Sequence, residues 1–410
     1  MNLNINIFNN TNETTFNLYK EYAEKINQDE LIFRTITRKK HYPDWKVFKR
    51  YKLKWISLGG VFYLNITMYE TINPETKTHK RFVHYHHSKV KEISEFKYDI
   101  DCIKLAIHFY LSSIPIPNYL KNLIPSKQLT QFYIKKFHIF EQILITNFEK
   151  LQQKQAELEQ TNEQIYVEMD DLYINHQANE KKKMRVRQII FHTQKNNKLE
   201  NVVNLFFTKN LDEKTNEFND LNFIFDTLNK LKKQSKNSQK IVVNGDGARW
   251  IKKLAERLDL NFSLDLFHIR KALNTAFGFN KFASKENKKL FKNWYNKNLN
   301  LSWKEAFEFA IFNKNLLLFR QVYSEFWTEA KTKNLSKTVL FNVKNFYKLI
   351  NNNSKYIFSN EQKLSSYTEH FVYNSFKKHI KKPQSLYSFE SIKMKVMYQN
   401  LLKNQPTVFL

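Results

Sequence analysis

Two short segments of the sequence place an acidic residue where metal-dependent chemistry is possible. In EMDD, Asp170 ends a short apolar run that is typical of a buried strand. In NGDGA, Asp246 lies between Gly245 and Gly247 and follows the apolar run IVV. If these two strands are neighbours in one sheet, both carboxylates emerge at its carboxyl-terminal edge, where open α/β sheets place their sites. We therefore predict that the two acids act together.

Neighbouring carboxylates favour a particular class of metal ion. The sequence holds a single cysteine, which excludes a cysteine-rich zinc site, and oxygen ligands select Mg²⁺ or Mn²⁺. Two such ions about 3.5–4 Å apart can activate an attacking oxygen and stabilise the leaving oxygen of a phosphoryl displacement. This chemistry predicts a substrate that contains phosphodiesters.

Two further acids near Asp170 are distinguished by strand geometry. Successive side chains of a strand face opposite sides, so Asp171 would point away from Asp170 and is the less favoured ligand. Glu168 shares the face of Asp170 and is a reserve candidate.

The glycines around Asp246 allow two interpretations. They could permit a tight turn from strand to helix, with Asp246 as the helix N-cap. They could also let a nucleic-acid phosphate approach a metal-binding aspartate, because Gly245 and Gly247 carry no Cβ atom. The chain has only five glycines, so both interpretations treat this pair as a specific requirement.

The elements around these acids follow the order β-β-β-α-β-α-β. Apolar runs predict strands at 164–170, 184–194, 201–209, 239–246 and 261–268. Amphipathic periodicity predicts helices at 218–234 and 248–258. This order, with acids at strand ends, is the outline of a ribonuclease-H-like mixed sheet, so the predicted fold class is α/β.

The whole chain is predicted to contain four regions. They are a basic β-rich module at 1–100, a helical region at 101–160, a catalytic domain at 161–268 plus 361–410, and a helical insertion at 269–360. In the first module, alternation of basic and apolar residues predicts strands in RTITRK, in WKVFKRYKLKWISLGGVFYLNITMYET and in KRFVHYHH, with a turn at Gly59 and Gly60. The stretch after Asn360 is predicted to be helical.

The segment NYLKNLIPSKQLTQFYIKKF is a candidate helix-turn-helix for DNA recognition before Gln160. Ser126 would cap its second helix, which would present Gln128, Gln131 and Lys135 to a DNA groove. A helical hairpin with no role in DNA binding is the alternative.

The charge of the chain favours a polyanionic partner. Lysine and arginine total 67 against 39 acidic residues, a formal net charge of +28, while 42% of the residues are hydrophobic. Such a basic but foldable chain favours nucleic acid, ahead of a membrane surface because no amphipathic anchor is present. The sequence start lacks the pattern of a signal peptide, and no run of about 18 apolar residues occurs. We therefore expect a cytoplasmic protein without membrane partners.

Three motifs together resemble a known family. IYVEMDDLYINHQ, IVVNGDGARWIKKLAERL and FSLDLFHIRKAL, in this order, are similar to the ISLre group of bacterial insertion-sequence transposases. A weaker similarity extends over most of the chain, including RTITRKKHYPDWKVFKRYK. The resemblance implies an aspartate-aspartate-glutamate (DDE) triad on a ribonuclease-H-like core. It also favours the interpretation of the two glycines as clearance for DNA.

The resemblance assigns roles to individual residues. Asp170 matches the first acid of the triad and Asp246 the second. Asp265 and His268, in DLFH, match an Asp-x-x-His motif of related transposases, which implies that they support the site or the DNA strand near it.

The third acid is chosen from Glu361, Glu369 and Glu390. The family's last motif has a helical Glu, a basic cluster and an aromatic-Ser pair, and TEHFVYNSFKKHIKKPQSLYS supplies Glu369, Lys377 and Lys378, then a Tyr-Ser pair. Lysine replaces the family's usual arginine and tyrosine its usual tryptophan. Because lysine lacks the bidentate fork of arginine, the positioning of the DNA strand can differ.

The implied activity is DNA transposition with two Mg²⁺ or Mn²⁺ ions held by Asp170, Asp246 and Glu369. Cleavage at the ends of the element would expose a 3′ hydroxyl, which would attack a phosphodiester of target DNA by direct transesterification. Residues expected to contact double-stranded DNA are Arg249, Lys252, Lys253, Lys377, Lys378, Lys381 and Lys382. Pairing of two element ends implies a homodimer or a higher oligomer in the bacterial nucleoid.

Two alternative functions share these features. A ribonuclease-H-like nuclease would hydrolyse DNA without strand transfer. An inactive transposase copy would bind DNA without cutting it. Strand transfer of a pre-cleaved 3′ end would distinguish a transposase from the nuclease, which gives nicks but no joined product. The inactive copy would be recognised by the absence of one acid of the triad.

Overall fold

The computed structural model describes residues 5–73, 75–177, 181–196, 198–210, 218–234, 241–280, 283–333, 335–359, 367–380 and 387–410. The predicted residues Glu361, Lys381 and Lys382 lie outside these ranges. The chain divides into two compact units, Met1–Gln142 and Ile143–Leu410.

The first unit contains helices and one antiparallel sheet. Its helices are α1 (Ile5–Ile32), α2 (Arg38–His41), α3 (Ser88–Phe96), α4 (Ile100–Ser112) and α5 (Lys127–Lys136), with a π-helical segment at Phe33–Thr37 and a 3-10 turn at Asn118–Leu120. Its strands are β1 (Lys46–Ser57), β2 (Gly60–Ile72) and β3 (His79–Val83), in the order β1-β2-β3. The division between the units falls within α6 (Ile139–Gln160).

The predicted hairpin of the first unit is confirmed, but one predicted strand is wrong. Ser57 pairs with Gly60, so β1 and β2 turn at the two glycines. RTITRK, by contrast, is helical and continues directly from α1. Side-chain contacts at helical spacing accompany it, since Arg34 pairs with Glu30 at 3.2 Å and the Thr35 hydroxyl donates to the Leu31 carbonyl at 2.7 Å. Alternating polarity was therefore overridden by continuation of the preceding helix.

The helix-turn-helix interpretation is also wrong. The second helix exists as α5, and the Ser126 hydroxyl caps it by accepting from the Leu129 amide at 3.4 Å. The expected first helix is only the 3-10 turn Asn118–Leu120, because Pro117 precedes it and Pro125 follows soon after. The three predicted DNA-contacting side chains are exposed, and one of them, Gln131, donates a hydrogen bond to the Tyr110 hydroxyl of α4 at 2.9 Å.

The second unit is built on a six-stranded mixed sheet. Its strands are β4 (Ile165–Gln177), β5 (Lys181–Lys195), β6 (Lys198–Asn210), β7 (Ile241–Gly245), β8 (Asn261–Leu264) and β11 (Thr407–Phe409), and the short pair β9 (Tyr295–Asn296) and β10 (Leu301–Ser302) forms a separate ladder. The order across the sheet is β11-β6-β5-β4-β7-β8. β4, β5 and β6 are antiparallel, whereas β7 and β8 run parallel to β4 and β11 runs parallel to β6.

Helices pack on this sheet, and most of them lie between β8 and β11 in the chain. They are α7 (Phe218–Gln234), α8 (Arg249–Arg257), α9 (Leu266–Ala276), α10 (Lys285–Lys292), α11 (Trp303–Phe312), α12 (Leu316–Ala330), α13 (Lys337–Asn352), α14 (Ser354–Ile357), α15 (Thr368–Phe371), α16 (Lys378–Ile380) and α17 (Phe389–Leu401), with a π-helical segment at Val372–Lys377. The chain is thus mixed α/β, and the predicted order β-β-β-α-β-α-β is confirmed from β4 to β8. The closing strand β11 was not predicted.

Alternation along β4 sends its side chains to two different cores. Val167 and Met169 join a large core that also contains Ile251 of α8 and Phe307 of α11, so the helices α9–α14 share this core with the sheet. On the other face, Leu172 and Ile174 pack with residues of the π-helical segment and α17. Because side chains alternate, the even-numbered face of β4 lies under the carboxyl-terminal helices.

Candidate metal centre

The parallel pairing of β4 and β7 brings Asp170 and Asp246 to equivalent positions. Met169 and Gly245 are the last register pair, so each acid is the next residue along its strand. β7 ends there, but β4 continues to Gln177 as the partner of β5. The prediction that Asp170 ends its strand is therefore wrong, because the hairpin with β5 extends beyond the point where β7 stops.

Asp246 is used locally at the start of α8. Its Oδ1 atom accepts a hydrogen bond from the Ala248 amide at 2.8 Å, and its side chain is partly exposed. The carboxylate thus satisfies a backbone amide next to the start of α8 and keeps one oxygen for other interactions.

Three side chains form a group that could hold a cation. Asp170, His268 and Glu369 each place one ligand atom within 4.8 Å of the others. Asp170 is buried on β4, whereas His268 on α9 and Glu369 on α15 are partly exposed. Elements far apart in sequence therefore meet at one point above the even-numbered face of β4.

The electrostatics of the group also suit a cation. Burial, together with the charges of Asp246 and Glu369, raises the pKa of Asp170 to about 7, while Lys377 acts in the opposite direction. A buried carboxylate surrounded by other carboxylates is destabilised in its charged form, and a bound cation offsets that cost.

The DLFH motif positions the histidine of this group. β8 ends at Leu264, and the Asp265 amide donates to the Gly245 carbonyl at 2.9 Å, which ties the ends of β8 and β7 together. Asp265 caps α9 by accepting from the Phe267 amide at 2.9 Å. His268 follows in the first turn, and its Nε2 atom lies 4.0 Å from Oδ2 of Asp265.

The donor set of the group fits a divalent cation. Mg²⁺ and Mn²⁺ prefer carboxylate oxygens, and imidazole is a better ligand for the softer transition metals than for Mg²⁺. Nε2 of His268 is buried and accepts or donates no hydrogen bond among the described residues, so it has a coordination position to offer. Ligand atoms on opposite sides of an ion with bonds of about 2.1 Å lie about 4.2 Å apart, so small side-chain movements would close the site.

This group differs from the predicted triad in one member. It contains Asp170 and Glu369, together with His268, which the resemblance made a supporting residue. Asp246 is not among its members, although its charge reaches Asp170. The metal-binding role of Asp246 stays a prediction.

The acids considered as alternatives to Asp170 and Glu369 lie in other environments. Asp171 faces the opposite side of β4, as expected, where its two oxygens accept from Arg187 at 2.9 and 3.2 Å. Glu390 is exposed in the first turn of α17. Of the described candidates for the third acid, Glu369 is therefore the one that lies beside Asp170.

Glu168, the reserve candidate for a metal ligand, is a buried carboxylate whose two oxygens both accept hydrogen bonds from the protein. It is 1% exposed, and its Oε1 accepts from Nδ2 of Asn244 at 2.8 Å, lies 3.1 Å from Nε2 of His192 and accepts from the Tyr367 amide at 3.3 Å. Its Oε2 accepts from the Thr368 hydroxyl at 2.6 Å. Sequence reasoning found the shared face with Asp170 but missed this network, whose partners come from three distant elements.

The glycines serve the protein's own packing. A Cβ atom at Gly245 would lie 2.7 Å from the Ile251 side chain and 3.1 Å from the Met169 carbonyl. Gly247 has φ +84°, and a Cβ atom there would lie 2.8 Å from the Leu264 side chain. The interpretation of the two glycines as clearance for DNA is therefore wrong, because protein atoms fill the space beside both and Gly247 adopts a left-handed turn.

The predicted DNA-contacting cations differ in their exposure and contacts. Arg249 and Lys253 are exposed on α8, whereas Lys252 donates to Oδ1 of Asn353 at 3.3 Å. Lys377 is partly buried and close enough to influence Asp170, and its neighbour Lys378 is exposed.

Comparison with known proteins gives a match for the central part of the chain. Residues 126–307 match the model of the uncharacterised protein family UPF0236. The match includes Asp170, Asp246, Asp265 and His268 and stops before Glu369. No curated protein matches the chain. Within the described ranges, no helix combines the length and apolarity needed to cross a membrane.

Proposed function

We propose that this protein is a DDE-type DNA transposase with a ribonuclease-H-like catalytic core. The observation that carries the proposal is the group formed by Asp170, His268 and Glu369 at the end of the β4–β7 pairing. Its chemistry is that of divalent-cation sites that act on phosphodiesters. The matched family is associated with transposase-like proteins, which agrees with this assignment.

The strand arrangement supports the proposed core. Three antiparallel strands are followed by two parallel strands, with helices between them, in the order that the sequence analysis associated with ribonuclease H. The candidate site lies where β7 ends against β4, the kind of sheet edge that α/β proteins use for binding.

The net charge supports a nucleic-acid substrate. A surplus of +28 produces a field that attracts a polyanion and makes binding dependent on salt. Exposed Arg249 and Lys253 at the start of α8 are suited to contact phosphates on either side of the cleaved bond. Partly buried Lys377 is suited to orient the phosphate nearest the group, since it lies close to Asp170.

Each residue of the group has a separate task in the proposed reaction. Asp170, His268 and Glu369 would hold one divalent cation, and Asp246, one residue beyond the β4–β7 pairing, would help to hold a second. Bound cations would supply the positive charge that stabilises the attacking and leaving oxygens of the phosphodiester. Asp265 orients the helix that carries His268 by capping α9.

Cleavage of the DNA that flanks the coding region on each side tests the proposal. We expect cuts at the element's ends only with Mg²⁺ or Mn²⁺, and we expect Asp170→Asn and Glu369→Gln to lower the rate at least about a hundredfold. Glu390→Gln is the matched control, because Glu390 is an exposed acid of the same closing region outside the group. Equal cleavage by wild type and Asp170→Asn would refute the assignment.

A nuclease without strand transfer is the second candidate function. The same group would serve hydrolysis, and the double-stranded DNA partner would be the same. Homodimerisation on paired DNA ends is part of the transposase proposal and is not required by this alternative.

A further inference from the structure

One buried carboxylate lies two residues from Asp170 and hydrogen-bonds residues that lie within two positions of the other two acids of the predicted triad. Glu168 precedes Asp170 by two residues on the same face of β4. Its oxygens also bind Asn244, which precedes Asp246 by two residues, and Thr368, which precedes Glu369 by one. The contacts to Asn244 and Thr368 span 76 and 200 residues of sequence.

We propose that Glu168 is a positioning residue that sets the spacing of the three acids, a role that rests on the proposed function. The carboxylate contacts the first residues of α15 through the Tyr367 amide and the Thr368 hydroxyl. It contacts β7 through the Asn244 amide group. Both of its oxygens are directed at groups of the protein, which suits a positioning role.

Glu168 holds the amino-terminal end of α15. α15 continues without a break into the π-helical segment and α16, so residues 368–380 form one helical run whose first residues contact Glu168. Glu369 lies in its first turn, so the contacts at Tyr367 and Thr368 act directly beside the ligand. The Thr368 hydroxyl donates to Oε2 of Glu168 at 2.6 Å, a short hydrogen bond.

His192 completes the environment of the carboxylate. Its ring is fully buried, and its Nε2 atom lies 3.1 Å from Oε1 of Glu168. A carboxylate oxygen only accepts, so Nε2 carries the proton in this pair. The ring also stacks on Tyr166 and contacts Phe371 of α15. α15 therefore packs against His192, the residue that also contacts Glu168.

Substitution of Thr368 isolates the contact between Glu168 and α15. Thr368→Val removes the hydroxyl at constant size and leaves the other donors to Glu168 in place. Glu168→Gln is the conservative variant, because the amide oxygen can replace Oε1 and the amide nitrogen can donate to Thr368. Asn204→Leu is the stability control, since Asn204 is buried on β6, two strands from β4, and donates to Thr407 of the edge strand β11 at 3.2 Å.

Mn²⁺ affinity, measured by titration calorimetry alongside the melting temperature, gives the test. We expect Thr368→Val to weaken Mn²⁺ binding about tenfold, as is typical when support of a metal ligand is lost. Glu168→Gln should bind within about threefold of wild type, and Asn204→Leu should melt earlier without weaker binding. Thr368→Val binding Mn²⁺ as tightly as wild type overturns the positioning role but leaves the proposed function intact. A wild-type protein that binds no Mn²⁺ overturns the metal centre itself.

Discussion

A ligand atom of His268 lies within 4.8 Å of a ligand atom of Asp170, although the first follows β8 and the second lies within β4. β7 separates these two strands in the sheet. The Asp265 amide closes the gap by bonding to the Gly245 carbonyl, which directs α9 toward the β4–β7 end. The histidine of the DLFH motif is therefore part of the candidate metal group.

Replacement of His268 should change the preference between metals. Imidazole favours Mn²⁺ over Mg²⁺, so His268→Ala should weaken Mn²⁺ binding about tenfold and Mg²⁺ binding less. Parallel titrations of both ions measure the difference. A variant that loses equal affinity for the two ions would contradict direct ligation by the imidazole. Lys271→Ala, a change on the same helix outside the group, is the control.

Replacement of Asp246 should separate its structural role from its proposed catalytic role. Ala248, and not Asp246, is the N-cap of α8, but Asn and Asp side-chain oxygens can both accept from the backbone amide two residues on. Asp246→Asn should therefore keep the bond to the Ala248 amide and the melting temperature. Loss of the negative charge should nevertheless abolish Mg²⁺-dependent cleavage while DNA binding persists. Cleavage assays and gel-shift titrations on one preparation check both parts. Retained cleavage would show that Asp246 serves only as the acceptor for the Ala248 amide.

Gly247→Ala should destabilise the fold. At φ +84° an L-residue costs about 1–2 kcal/mol, and the new methyl group would also press on Leu264. Urea unfolding should show a loss of at least this size. Gly278→Ala is the matched control, because Gly278 has φ +73° but its nearest contacts are at 3.3 Å. A smaller loss at Gly247 than at Gly278 would count against the Leu264 contact.

His379 should make the second unit less stable in acid. Burial, together with the charges of Lys403 and Lys378, lowers its pKa to about 4, and its bond to Asn400 acts in the opposite direction. The unfolded chain, with a pKa of about 6.5, binds the proton more readily, so stability is constant above that pH and falls as pH decreases toward 4. The loss between pH 7 and pH 5 should be about 2 kcal/mol.

Urea unfolding of wild type and His379→Gln at both pH values isolates this contribution. The Gln amide can donate to Asn400 but does not titrate in this range. We expect the variant to lose less stability than wild type between pH 7 and pH 5. Equal losses would show that His379 is not the group responsible.

The sequence was informative where structure is local. The strands β4 to β8 follow from apolar runs, and the predicted helix at 218–234 has the bounds of α7. Alternation also separated Asp171 from the face of Asp170 correctly. Ser126 was recognised as a cap because its role depends only on the next three residues.

The sequence was uninformative where the structure depends on distant partners. The three-residue strand β11 exists only because the edge of β6 is available to pair with it. RTITRK continued a helix whose existence was not foreseen. The network of Glu168 joins residues 200 positions apart, and no local pattern marks such contacts. The glycines of NGDGA fit buried neighbours that the sequence does not reveal.

The central claim is that the Asp170 group joins DNA strands. The most direct measurement mixes wild-type protein, Mn²⁺, target plasmid and a fragment of the flanking DNA whose 3′ end is already cleaved. We expect a covalently joined product that is lost in Asp170→Asn and Glu369→Gln and kept in Glu390→Gln. Nicked plasmid without a joined product would contradict transposition and favour the nuclease, and a joined product from Asp170→Asn would contradict the site.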